Sequence, residues 1–271
     1  MNKKWLSTPY VIWAIAFILI PLCMIFYYGL TDDTGAFTLE NIMAIGTPER
    51  MKALGISLVL SFIATVICLL LGYPLAVILA KFKGNAQSII VMIFILPMWM
   101  NFLLRTLAWQ TLLEKTGVIN TILTTLHLPP LNIINTPYAI ILGMVYNFLP
   151  FMVLPLYNSI TKIDYNVIHA ARDLGANFWQ TLFKIIIPLS KAGIASGIIM
   201  VFVPSLTTFV ISDILGGGKL LLIGNIVENK VKADNLNLAA GLSLVLMIFI
   251  VINMLFSGND ESDSVKVKGG K

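Results

Sequence analysis

Charge is scarce in this chain. Only 11% of its 271 residues are Asp, Glu, Lys or Arg, while 58% are hydrophobic and the mean hydropathy is +0.90. That balance lies far outside soluble globular domains and implies an integral membrane protein. Cysteine is nearly absent: Cys23 and Cys68 both sit in apolar runs, which suggests packing residues rather than a disulfide framework or a thiolate metal site. The two histidines, His127 and His169, lack metal-ligand spacing, and no Ser or Cys nucleophile has a histidine placed beside it, which argues against an intramembrane enzyme. The lysines behind the net charge of +5 are dispersed over loops and tails, without the clustered basic face that nucleic acid requires. No phosphate loop is present either. Its nearest approach, Gly216-Gly217-Gly218-Lys219, is followed by Leu220 and has Asp213 where the first glycine belongs, so it reads as a flexible outer bend. The absence of an internal repeat weighs against an inverted-repeat carrier.

What is present is a series of apolar runs. Six spans are expected, at about 10–30, 53–80, 88–113, 138–157, 194–215 and 236–256, in an all-α single permease domain over 1–256. The first run follows Lys3 and Lys4 as a signal peptide would, but it is long enough to cross a bilayer, lacks an A-x-A site and ends in Tyr27 and Tyr28, so it is read as retained. Residues 257–271 are expected to be a polar, disordered tail. The turn at 81–87 carries Lys81 and Lys83 and no acid, which places it on the cytoplasmic side together with both termini.

Between the fourth and fifth runs lies an amphipathic island at 159–189. Asp164 is placed to cap a short helix with Val167, Ala171 and Leu174 on one face, and Gly175 to close it in the left-handed conformation. Asn177 and Gln180 are spaced to cap a second helix striped by Phe178, Leu182 and Ile185, ending at Pro188. Helix, bend, helix is the expectation. By residues alone the island is either a docking element or a helix pair lying on the bilayer surface.

Within the spans, ionised and polar side chains are costly and mark pathways more often than packing. Arg105 and Asp213 are the charged ones, and they either neutralise each other or serve a route. Asp213, Thr208 and the aromatic faces of Phe209, Tyr146 and Trp99 are the candidates to meet a cation, although anchoring or packing suits any single aromatic equally well.

The island, written His169-Ala170-Ala171, three residues, Gly175, and then Ile185, Ile187 and Pro188, resembles the Glu-Ala-Ala motif of ABC-importer permease subunits. His169 stands where that motif has Glu, and Ile187 where it has Leu. The resemblance implies the type I importer fold, with six transmembrane helices and a cytoplasmic coupling helix. Residues His169, Ala170, Ala171, Arg172, Asp173, Leu174 and Gly175 would seat in a partner ATPase. The stretches from Asn101, Leu142, Ala170 and Ser212 are similar to the polyamine branch of that family. This implies a subunit in a bacterial inner membrane, paired with a second related permease, two ATPases that alone use ATP and Mg, and an extracytoplasmic spermidine- or putrescine-binding protein. No cofactor is expected on this chain. The same architecture serving another small solute, and an ATPase-independent channel or carrier, are the alternatives.

Overall fold

The computed structural model describes residues 3–82, 89, 92 and 96–266, and in their secondary structure it is helical apart from one isolated bridge, Thr31 to Phe37. Residues 3–29 form α1, with one π-helical stretch, Ile15–Leu19, just ahead of Pro21, which has no N–H to continue the regular ladder. Pro48–Leu79 is α2, Phe102–Leu113 α3, Val118–Thr125 α4 and Pro137–Ile160 α5. The island supplies α6 (Tyr165–Asp173) and α7 (Phe178–Leu189), then come α8 (Lys191–Thr207), α9 (Val210–Gly216), α10 (Ile223–Lys232) and α11 (Leu236–Lys266).

Among the described residues three helical segments are long and apolar enough to cross a membrane: Pro9–Gly29, Pro48–Leu79 and Pro137–Ile160. Helices α7 and α8 pass the same test only taken together, as a pair bent by 70° at Ser190, and the apolar part of α11, Leu236–Ile252, is shorter. Two expected spans are broken rather than continuous. In the third, most of 88–95 lies outside the described residues, and the remainder divides into a 3-10 turn, Leu96–Trp99, and α3, whose N-terminus Asn101 caps by accepting from the Leu103 and Leu104 amides at 2.9 and 3.2 Å. The fifth breaks between Thr207 and Val210, and begins at Lys191, earlier than 194. Lys83, one of the two orientation-setting lysines, lies outside the described residues. The tail departs from expectation too: the backbone of α11 continues as helix to Lys266, because extending an existing helix costs far less than starting one.

Helices α2, α5 and α8 pack on one another as the core. Lipid is as apolar as these side chains, so close approach rather than expulsion from water holds them together. Met152 of α5, fully buried, is the centre: a Cβ added at Gly197 would come 2.7 Å from its sulfur, and one at Gly72 3.1 Å from its Cγ. One turn before Gly197, Gly193 is equally close to α5, a Cβ there falling 2.4 Å from that of Ser159. The Gly193-x-x-x-Gly197 pair thus lets α8 lie against α5 backbone to backbone. Outside this core the apolar part of α1 from Pro9 on is exposed or half-buried until Gly29, where it meets Leu244 of α11.

Candidate functional site

Local chemistry determines the shape of the island. The Asp164 carboxylate accepts from the Asn166 amide at 2.9 Å and starts α6. At the other end Gly175, at φ +84°, donates to Arg172 O at 2.8 Å, and Ala176 donates to Ala171 O at 3.0 Å. This is the two-bond Schellman closure, which needs a left-handed residue at that position. Two residues later Asn177 and Gln180 exchange side-chain bonds with each other's amides, 2.8 and 2.9 Å, and start α7. Four residues therefore separate the end of α6 from the start of α7. The knuckle carries exposed apolar groups: Val167 on α6, Leu174 at its C-terminal cap, and Phe178, Trp179 and Phe183 on α7, with Leu174 89% exposed. His169 packs edge-on to Tyr165, ring centroids 4.3 Å apart. Ala170, Arg172 and Asp173 are also exposed, and Ala171 is half-buried. Six of the seven expected coupling residues are thus exposed.

Behind the knuckle is a groove of about 620 Å³ between α6, α7 and the ends of α2 and α5, where Lys81 stands 5.4 Å over the Phe178 ring. The bend between α7 and α8 falls at Ser190, fully buried, whose hydroxyl is 2.7 Å from that of Tyr73 on α2. The knuckle is thus tied directly to a core helix.

The candidate path residues separate into two groups. Thr208, Phe209 and Asp213 come together at the break between α8 and α9. Asn225 of α10, 1% exposed, holds this place: its Nδ2 donates to Asp213 Oδ1 at 2.8 Å and to Phe209 O at 3.2 Å, and its Oδ1 accepts from the Leu222 amide at 3.0 Å and from the Ser212 hydroxyl. Gly224 lies so close to the break that a Cβ would meet Thr207 O at 2.6 Å. Ser57 of α2 accepts from the Ile223 amide at 2.9 Å and anchors the start of α10. Asn225, Gly224 and Ser57 were not among the sequence candidates. The one signal was Ile-Gly-Asn following the glycine bend.

The second group surrounds Arg105. Its guanidinium lies 5.8 Å from the Tyr146 ring and 6.0 Å from that of Phe102, and donates to Pro97 O at 2.6 Å. Tyr146 in turn meets Trp109 edge-on at 5.2 Å. Arg105 and Asp213 do not neutralise each other. The one ion pair among the described residues is Lys232 with Glu228, and Arg105 meets a carbonyl and two ring faces instead, its buried Nε having no hydrogen-bond partner. Trp99 is 75% exposed. Among the described residues no three His, Cys, Asp or Glu converge as for a metal ion.

A helical membrane core, a protruding capped knuckle and a polar break in a later span define a multi-pass transport permease. The pattern of the family "Binding-protein-dependent transport system inner membrane component" matches residues 72–258, and the chain belongs to that family. It is similar to the spermidine/putrescine transport system permease protein PotB of Haemophilus influenzae, 36% identical and covering 91% of this chain and 90% of that one. To PotB of Escherichia coli it is 41% identical, over 80% of this chain and 82% of that one. Among solved structures, a bacterial alginate ABC transporter in complex with alginate pentasaccharide-bound periplasmic protein has a chain of the same fold, with TM-score 0.74, 16% identity and coverage of 94% and 92%.

Proposed function

We propose that this chain is a permease subunit of an ATP-driven importer for polyamines, spermidine or putrescine. Six crossings with both termini cytoplasmic, a second related permease, two ATPases seated on α6 and α7, and an extracytoplasmic polyamine-binding protein complete the assembly. ATP and Mg belong to the ATPases, and this chain binds neither. The observation that carries the reading is 36–41% identity to spermidine/putrescine permeases over four-fifths or more of both chains. The residues add physical support: Asp213 offers a carboxylate at a helix break, the arrangement in which a spanning segment presents polar groups to an ammonium ion. One intraspan acid cannot balance a polycation, so the second permease supplies further carboxylates. Uptake of labelled spermidine by cells carrying the complete transporter tests the proposal. Competition by putrescine but not by thiamine is expected; equal or stronger competition by an unrelated solute would reassign the substrate.

A further inference from the structure

Helix α2 has a groove at each end. Its 32 residues span about 48 Å at ~1.5 Å per residue, so the two grooves lie on opposite sides of a bilayer. The one at its C-terminal end is behind the coupling knuckle. The other, about 500 Å³, is lined by the first turns of α2, the glycine bend and α10. Four cations surround it, Arg50, Lys52, Lys219 and Lys230, against the single carboxylate Glu49. None of the four is ion-paired among the described residues, and Arg50 is held in place by donating to Ala44 O. Exposed Leu221 and half-buried Ile226 give the groove an apolar floor.

Helix α10 separates this basic groove from the acidic break. Ile226, Asn229 and Lys230 fall at i, i+3 and i+4 and face the groove, while Asn225 faces Asp213. Five residues of helix rotate Lys230 by roughly 140° from Asn225, so its charge points away from Asp213. A cation importer with four unpaired cations beside its entrance would repel its own cargo unless those charges faced a different object.

We propose that the groove is the docking surface for an acidic lobe of the extracytoplasmic substrate-binding protein, a partner taken from the import reading above. The chemistry distinguishes a protein from a free anion. The cations stand on segments 49–52 and 219–230, spread around an open groove with an apolar floor, which is the mixed anatomy of a protein interface. A phosphate or carboxylate site would instead converge its donors on one point. A protein that grips a polycation carries carboxylates at the mouth of its cleft. Those that swing to Arg50, Lys52, Lys219 and Lys230 no longer hold the ammonium groups, so docking and release of the cargo favour each other.

The test uses the complete transporter in nanodiscs of uncharged lipid, with ATP hydrolysis followed as its spermidine-loaded binding protein is titrated. In Lys219→Glu/Lys230→Glu the concentration for half-maximal stimulation rises about ten-fold, and in Lys219→Gln/Lys230→Gln by less, with the saturated rate unchanged, since rim charges act on encounter. Raising the salt weakens wild type toward the variants. Unchanged half-maximal concentrations in both variants would overturn the docking assignment while leaving the import reading intact. A shift that appears only in nanodiscs containing anionic lipid would also overturn it and make a lipid headgroup the occupant. No stimulation of wild type at any concentration would overturn the import reading itself, and the docking with it.

Discussion

The hydroxyl of Tyr73, towards the C-terminal end of the second expected span, lies 2.7 Å from that of Ser190, the buried residue at which the chain turns through 70° from the knuckle into α8. A pull on α7 therefore reaches α2 and α8 at one point, and with α5 those two helices are the core. Tyr73→Phe removes the hydroxyl and leaves the ring. It is expected to slow transport several-fold and to cost ~1 kcal/mol of stability. A double-mutant cycle with Ser190→Ala checks it: the combined loss should be smaller than the sum of the two single losses.

Gly175 closes α6 at φ +84° with open space around it, so backbone conformation rather than crowding is what a substitution offends. Gly175→Ala should cost ~1 kcal/mol or more, the left-handed penalty of a side chain, and reduce transport moderately. Gly175→Pro also deletes the bond to Arg172 O, 2.8 Å in the native turn, and fixes φ near −65°, ~150° from the native angle. Uptake should vanish while membrane insertion, measured by fractionation, stays normal.

Asn225 and Asp213 are expected to fail differently. Asn225→Leu leaves the Leu222 amide without its acceptor, while Phe209 O keeps the Asp213 amide and the Ser212 hydroxyl; at ~1–3 kcal/mol for the one orphaned buried group, the protein should melt earlier in detergent. Asp213→Asn keeps the shape and removes the charge. Its signature is a raised KM for spermidine with little change in melting temperature, measured on the reconstituted complex.

Asp32 lies in the loop after α1, outside the spans. The Thr34 hydroxyl at 2.6 Å, followed by the Ala36 amide at 2.9 Å, holds its carboxyl below the ordinary aspartate value of 3.8. A group with a depressed folded pKa stabilises above its unfolded value, and that contribution is lost as pH falls through the folded one. The loop should therefore keep its geometry down to pH 3.8 and loosen below it, with an Asp32 carboxyl titration midpoint under 3.8 by NMR. Asp32→Asn should remove the transition.

The knuckle was legible because every signal for it is local. Asp164, Gly175 and the Asn177–Gln180 box each act within three or four residues, and each forms the cap its spacing predicts. The broken fifth span was not legible. Pro204, the residue nearby that suggests a break, lies inside α8, while the break at Thr208–Phe209 is held by Asn225 from another helix. Of the two alternatives for Arg105 and Asp213, mutual neutralisation is not what the structure shows: two opposite charges in apolar runs suggest each other, but a carbonyl and aromatic rings meet Arg105 and an amide meets Asp213, through contacts that periodicity does not encode.

Engagement of the knuckle by an ATPase is the central claim. It is tested most directly by placing a cysteine at Leu174, 89% exposed, in a background lacking Cys23 and Cys68, and cross-linking within the assembled transporter in membranes. The account predicts a covalent adduct between this chain and the ATPase subunit, formed at the inner face. Absence of that adduct, together with labelling of the same cysteine in intact cells by a reagent that cannot cross the membrane, would contradict it.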